Sequence, residues 1–554
     1  AKYDFSRLKY INLLVHLLTG TVIFWFTGRL LQTQKRFAPN CWWIGLWLCA
    51  VWLIAPLFVS TVLYTVQRMA QLATLFCFCG LLCYVLGRQN LVRRFALGVA
   101  LLISVLLLWW PLGFLSKENG ALLPLLALLV EMFFFRWTGN SAVRKTLAVF
   151  FGIGLLLPAV TAAGILIVNP ERIVAGYAYR DFTFIERLLT ESRILFEYVS
   201  ALLAPRGVSL GLYHDDYVVS SGLLSPPTTL ISMLGWLGLL VITWRLRNHA
   251  LCILLFGPVF FLAGHLLEST VFPLELYFEH RNYLPGYGIF FTLGLTAIVA
   301  AQSATRLRNA LIMFMVALPV TYAIATANRV HTWSSLTTLI HTTQQSHPDS
   351  PRLLSDLAFW HAKYGDLSEA LSYLDKTVAI NPKNASGVAL QRLYLHCAAR
   401  TAAQAEDYKL LHKHLSFEKA PYVTTSFRAV ADSVFSNGCP GVDASRIAAI
   451  VSTWLERIDP AEHKREQWVM RMYTAQLLAH TGDLPKALRH LVVASKLLPD
   501  RSEPFFYKLS YYLKMGRLND ARDTLSEIRT RHWATAETEE LDRHLQRIMQ
   551  EKGS

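Results

Sequence analysis

The sequence is short of charge. Only 16% of its 554 residues are Asp, Glu, Lys or Arg, against about 25% in an ordinary soluble domain. Acidic residues are scarcest near the start, where Asp4 is the only one before Glu118. That part of the chain has too little polar surface to cover a water-soluble core. Cysteine is also sparse. Eight residues in 554 exclude a disulfide scaffold. Cys41, Cys49, Cys77, Cys79, Cys83 and Cys252 lie in or beside apolar runs and read as small core residues. Cys77 and Cys79 have no second pair or histidine cluster nearby, which argues against a four-ligand zinc site. Cys397 and Cys439 lie in polar sequence, and the sequence does not decide whether they pair.

What is present instead is a series of apolar runs. A membrane helix needs roughly 20 apolar residues. Segments 10–30, 42–61, 69–87, 95–115, 119–136, 146–168, 228–244, 250–267, 283–302 and 309–327 meet or approach that length. Alternate connecting loops carry Arg29, Lys35 and Arg36; Arg88, Arg93 and Arg94; Arg136, Arg144 and Lys145; Arg245 and Arg247; and Arg306 and Arg308, with no Asp or Glu among them. Basic loops stay cytoplasmic. The sequence therefore predicts residues 1–9 and the loops near 62–68, 116–118, 169–227 and 268–282 on the outer side. Ten crossings that start outside end outside, which puts the C-terminal region in the periplasm of a bacterial inner membrane. The net charge of +15 partly records this topology. It argues for membrane lipids, and against nucleic acid, as the chain's surroundings.

The expected architecture is all-α, with a polytopic membrane helix bundle over 1–328 and a helical repeat domain over 329–554. Residues 351–384 place Leu357, Ala358, Gly365, Leu367, Ala370, Leu374 and Pro382 where a 34-residue tetratricopeptide repeat (TPR) wants small or apolar side chains. The pattern returns at 468–501 and continues beyond it, with Gly482 and Gly516 34 residues apart, as are Ala487 and Ala521. Between them, about 385–467, helices are expected without that period. Such a solenoid offers a concave surface to a protein partner, or it braces the membrane domain. In the long loop, 185–203 has apolar Leu188, Leu189, Leu195, Val199 and Leu202 interleaved with Glu186, Arg187, Glu191, Arg193 and Glu197. This suits an amphipathic helix on the membrane surface or against the protein's own core.

Charge at a membrane boundary is costly unless it is paired or used. Glu131 is the one acid inside an apolar run. Four outer clusters stand out: Gln67-Arg68, Ser116-Lys117-Glu118-Asn119-Gly120, His214-Asp215-Asp216, and Glu275 to Pro285, which contains Glu279, His280 and Arg281. Arg68 and Glu118 fit interfacial helix ends or a site equally. His214, Asp215 and Asp216 have the ligand chemistry of a divalent-cation site, and also that of a solvated loop or helix cap. The Glu279-His280-Arg281 run suits a phosphate, with a guanidinium fork and an imidazole as donors. It also suits an internally paired ion network.

The stretches VLYTVQRMAQLATLFCFCGLLCYVLGR, FLSKENGALLPLLALLVE and FEHRNYLPGYG, with TESRILFEYVSALLAP and GLYHDDYVVSSGLLSPPTTL, resemble bacterial GT-C type membrane glycosyltransferases with C-terminal TPRs. These are similar to the transmembrane TPR O-mannosyltransferases of animals. The resemblance runs from about Tyr10 to the end. It implies transfer of a sugar from a polyprenyl-phosphate carrier to a protein or glycan acceptor on the outer face. It makes Arg281 and His280, then Arg68 and Lys117, the candidates for the lipid phosphate. It assigns Glu118, Glu279 and Asp215 to acceptor, sugar or metal. It also implies an acidic catalytic residue in a first outer loop, which would precede Ala1. The alternative is a non-catalytic membrane assembly protein whose TPR surface recruits an envelope partner. Alkaline phosphatase fused after residue 65 or 554 is expected to be active, and after residue 140 inactive. The reverse pattern contradicts the predicted orientation.

Overall fold

A computed structural model of the chain describes residues 5–168, 176–177, 180–205, 210–303, 306–531, 533, 539–540, 542–543 and 546–547. Asp4 and parts of the 169–227 loop lie outside them. The described residues are all-helical with no strands, and the chain divides into two compact units, Ala1–Pro348 and Asp349–Ser554. The division falls beyond residue 328 because the helix Leu336–Ser346 belongs to the first unit.

In the first unit, eight helices are long and apolar enough to cross a membrane: Arg7–Leu31, Thr65–Arg93, Phe95–Ser116, Glu118–Phe135, Ser141–Thr161, Thr228–Arg245, Gly286–Ser303 and Arg308–Thr332. Ala38–Leu53 and Pro56–Leu63 together make a ninth, bent by 49°. The expected run at 250–267 holds only the shorter helix Ala250–Gly264, so ten full spans are not formed among the described residues. The bend has a local cause. Pro56 lacks an N–H and ends the helix before it. The carbonyls released there still need donors inside an apolar bundle. Thr326 donates its hydroxyl to the Ile54 carbonyl at 2.7 Å. His16 meets the Leu53 carbonyl through Nε2 at 2.9 Å and the Tyr283 hydroxyl through Nδ1 at 2.6 Å. Apolar side chains such as Leu107, Val160, Ile231 and Met313 stay exposed on the bundle's outside, as a lipid-facing surface requires.

The two ends of the bundle differ. At one end the basic segments meet: Gln34 donates to the Phe134 carbonyl, Gln89 to the Arg29 carbonyl, and Arg36 Nε to Gln302. Glu131 is buried at that end. Arg88 donates to both of its oxygens, Tyr84 donates its hydroxyl at 2.7 Å, and the Trp137 N–H donates at 3.0 Å. The one acid within an apolar run is thus a closed ion pair. At the other end, Ser116 to Glu118 form a tight turn between two helical arms. Gly113 and Gly120 touch there: a Cβ on Gly120 would lie 2.0 Å from the Gly113 carbonyl carbon. This backbone contact fixes where Lys117 stands.

The helix Phe184–Leu203 forms where amphipathic spacing places it, opened by a Thr183–Glu186 capping box. Its buried face departs from the expectation. Arg187, Thr190, Glu191, Ile194, Leu195, Tyr198 and Leu202 point inward, whereas Leu188, Leu189 and Val199 are only half-buried. The charged residues at 187 and 191 are therefore interior.

The second unit is a series of helices that pair in order: Pro351–Lys363 with Leu367–Ile380, Lys464–His480 with Leu484–Leu497, and Glu503–Lys514 with Leu518–Thr530. Gly482 and Gly516 turn between the paired helices at φ +93° and +69°, a conformation that L side chains avoid. Buried Ala475, Ala487 and Ala494 allow close approach of the helices around that turn. The intervening helices, Ala385–Ala398, Ala405–His414, Ala420–Asn437 and Ala444–Leu455, are unequal in length, which matches the expected loss of period. Cys397 and Cys439 form a disulfide. Nearby, Asp407 accepts from Arg392 Nε and the Gln404 N–H, both at 2.8 Å, with His396 Nε2 at 3.2 Å. Burial alone would raise the Asp407 carboxyl, but its His396 and Arg392 partners hold it at about 2. Gly120→Ala is expected to lower stability by about 1–3 kcal/mol through overpacking, while Gly164→Ala, with no atom within 4 Å of the added carbon, is expected to leave it unchanged. Thermal unfolding in detergent measures both.

Candidate anion-binding site

The end of the bundle opposite the basic loops collects buried charge. Its organiser is Arg187. Nη2 pairs with Glu191 one helical turn on, at 2.9 Å, and donates to the Glu268 carbonyl at 2.5 Å. Nε donates to the Thr270 carbonyl, and Nη1 to the carbonyls of Leu274 and Glu275. One guanidinium thereby pins the irregular segment 268–275, whose carbonyls have no helix to serve them. Arg281 continues the pattern. Its Nη1 donates to the Leu276 carbonyl at 2.7 Å and lies 3.5 Å from Glu191 Oε1, and its Nη2 donates to the Glu275 carbonyl. Glu191 stands between two guanidiniums. Burial pushes its carboxyl up to about 6 against the pull of Arg281 and Arg187.

Beside this knot, Lys117 is ion-paired with Glu268. Burial would raise the Glu268 carboxyl, but Lys117 and then Arg281 hold it at about 2. Lys117 reaches Glu268 from the glycine-braced turn, so the contact joins two distant parts of the chain. A narrow crevice of about 10 Å³, the space of a single water, opens here, lined by Ala70, Ala73, Thr74, Lys117, Asn119, His280, Arg281 and Leu284. His280 is half-buried and lies against Phe278. Burial, and next the Lys117 charge, bring its imidazole down to about 3. Asn119 Oδ1, Glu268 Oε2 and Glu191 Oε2 are buried without a hydrogen-bond partner; as acceptors they call for a donor such as water.

A third pair lies next to His280 in sequence. Glu279 is buried, ion-paired with Arg329 and accepting the Ser60 hydroxyl at 2.5 Å. Among the described residues, four buried cations at this end, Lys117, Arg187, Arg281 and Arg329, stand with three buried carboxylates, Glu191, Glu268 and Glu279. One positive charge is left uncompensated. The surplus lies on Arg187 and Arg281, which share Glu191 and spend their other N–H groups on backbone carbonyls.

The expected residues are therefore partly assembled and partly not. Lys117, His280 and Arg281 come together at one crevice. Arg68 does not line it; its Nε donates to Asn12 at 2.8 Å and its Nη2 to the Leu8 carbonyl at 3.0 Å. Glu118 is exposed, just beyond Lys117. Glu279 is engaged by Arg329 rather than free to accept a proton. His214, Asp215 and Asp216 do not converge on a cation. Among the described residues no three His, Cys, Asp or Glu side chains are arranged to hold a metal. Instead Asp216 pairs with His347 at 2.9 Å, and His214 stacks on Tyr277. Sequence reasoning did not single out Glu268, Arg329 or Ser60. Arg187 and Glu191 stood among the interleaved charges of an amphipathic helix, and their four-residue spacing is the one signal of a pair.

Compared with known proteins, the chain matches no family model and no curated protein sequence significantly. Arg187→Met is expected to cost about 3–5 kcal/mol, because it strands the carbonyls of Glu268, Thr270, Leu274 and Glu275. Unfolding curves that match the wild type contradict the role given to Arg187.

Proposed function

We propose that this chain is an integral-membrane glycosyltransferase of the GT-C type. It transfers a sugar from a polyprenyl-phosphate carrier to a hydroxyl of a protein or glycan. The observation that carries the reading is the buried surplus of positive charge beside the crevice of Lys117, His280 and Arg281. A donor of this class presents one phosphate at the membrane boundary with its chain in the lipid, which suits a cationic crevice at the end of an apolar bundle. No divalent cation is part of the reading.

In the transfer step, the acceptor oxygen bonds to the anomeric carbon. The bond from that carbon to the phosphate oxygen breaks, and the phosphate leaves with the electron pair. Lys117 and Arg281 offset the charge that develops on it. Glu118, exposed next to Lys117, is the carboxylate placed to take the acceptor's proton. Glu279, clamped by Arg329, orients the segment that carries His280 and Arg281.

The paired helices of the second unit, with turn glycines at 34-residue spacing, support a TPR-like solenoid. The Cys397–Cys439 disulfide supports an oxidising compartment for that unit; with nine longer spans, a periplasmic C-terminal unit requires the shorter helix Ala250–Gly264 to cross as the tenth. A second reading, an assembly protein that recruits an envelope partner, is favoured by one feature. Val378, Ala379, Ala385, Val388, Ala389 and Leu410 line an apolar groove of about 340 Å³ in the second unit.

The test is transfer from polyprenyl-phosphate-linked sugars by the full chain in proteoliposomes. Lys117→Gln with Glu268→Gln removes one charge of each sign and is expected to fold as the wild type does. Transfer is expected to fall about 100-fold or more, as for loss of a transition-state charge contact. Full transfer by that variant contradicts the site. No transfer by the wild type with any such donor, with a stoichiometric partner copurifying, favours the assembly reading.

A further inference from the structure

The basic end of the bundle carries charge of one sign without the partners that balance it elsewhere. Gln34, Gln89 and Arg36 tie three of the five basic segments to one another and to the helix that ends at Ser303. Phe134 packs on Phe256 at 5.0 Å, which brings in the segment that follows Arg247. Eleven of the thirteen Lys and Arg in these segments are exposed. Arg88 is buried on Glu131, and Arg29 is half-buried. Among the described residues none of the eleven pairs with an acid. The second unit differs, since exposed Lys376, Lys486, Arg517 and Arg529 each pair with an aspartate. Like charges gathered at one end repel one another unless a counter-charge lies beside them. Where apolar spans end, the neighbouring material is the lipid headgroup layer. Exposed Trp43, Trp137 and Trp244 stand at the same end, and indole rings favour that layer.

Within this end, the turn between the spans Glu118–Phe135 and Ser141–Thr161 is held in an unusual shape. Arg136 and Trp137 both take left-handed conformations, at φ +52° and +55°, which residues with a Cβ avoid. The buried ion pair keeps them there. The Glu131 carbonyl accepts the Arg136 N–H, Glu131 Oε1 accepts the Trp137 N–H at 3.0 Å, and Arg88 donates to the Thr138 carbonyl. The Trp137 ring stands edge-on to Phe151 at 5.4 Å. Arg136, Arg144 and Lys145 are exposed around the turn. Strain kept where glycine would relax it points to a use for the side chains that the turn presents. We propose that this turn seats the headgroup of an anionic phospholipid, its phosphate met by Arg136, Arg144 and Lys145 and its glycerol region by the Trp137 indole. The occupant is a lipid because the cations and the indole stand together where the apolar spans end. The inference is independent of the transfer reaction, which is proposed for the opposite end.

The experiment is native mass spectrometry of the full chain in a neutral detergent, titrated with phosphatidylglycerol and with phosphatidylcholine of the same acyl chains. At about 50 mM salt the first phosphatidylglycerol is expected to bind about fivefold or more tighter than the first phosphatidylcholine, as one or more cations at the headgroup would give. At about 500 mM salt the preference is expected to shrink to about twofold or less. Arg136→Gln with Arg144→Gln and Lys145→Gln removes exposed, unpaired charges. That variant is expected to unfold as the wild type does and to keep a preference of about twofold at most. Arg136→Gly, which also relaxes the left-handed turn, is expected to weaken the preference without lowering the unfolding midpoint. Lys464→Gln with Arg465→Gln, exposed in the second unit, is expected to retain it. Equal affinity of the wild type for the two lipids overturns the proposal, as does a preference that survives high salt. A preference undiminished in both the triple variant and Arg136→Gly places the lipid elsewhere and overturns the site.

Discussion

Glu191 between the guanidiniums of Arg187 and Arg281 is the contact on which the polar end of the bundle depends. The segment 265–285 has little helix of its own and many carbonyls to satisfy. Two arginines supply the donors, and one carboxylate keeps the arginines from repelling each other. Breaking such an arrangement from one side leaves a charge stranded away from water, which costs far more than an exposed ion pair is worth. The knot is therefore held for electrostatic reasons, and that order is what the proposed phosphate site would need. Lys117 is added from outside the knot. It is placed by two glycines in backbone contact and pairs with Glu268.

The bundle separates two kinds of buried charge. At the basic end, Arg88 and Glu131 close on each other, with Tyr84 and the Trp137 N–H completing the carboxylate. That pair is balanced. At the other end the charges do not balance, several acceptors lack donors, and a crevice is present. The contrast within one molecule is the ground for proposing that the second group of charges receives a ligand. The second unit follows different rules. Small side chains, turn glycines and a disulfide order it, and its charges sit mostly at the surface.

Much of the fold was legible because membrane helices and helix pairs have periods and lengths that sequence records directly. The bent span was not, since a run of apolar residues does not reveal that Pro56 breaks it while His16 and Thr326 take up the released carbonyls. Ala250–Gly264 read as a full span because apolar composition continues to Leu267 beyond the end of the helix. At the site, the runs containing Lys117 and His280-Arg281 were found, because charge between apolar segments is conspicuous. Their partners were not. Arg187 and Glu191 look like the wet side of an amphipathic helix until folding shows that side turned inward. Glu268 and Arg329 are single charges at the ends of apolar stretches, and only proximity in space gives them a role. The His214-Asp215-Asp216 run misled for the opposite reason. Its composition is that of a cation site, but neighbouring residues in a loop need not converge.

The central claim is that the uncompensated positive charge at this end of the bundle is the seat of a lipid phosphate. The most direct measurement is an electron cryomicroscopy structure of the full chain in nanodiscs with a non-hydrolysable polyprenyl phosphonate sugar. The account predicts phosphonate density in hydrogen-bonding contact with Lys117, His280 and Arg281, with the prenyl chain running into the lipid. Phosphonate density elsewhere, with the crevice holding only water, contradicts it.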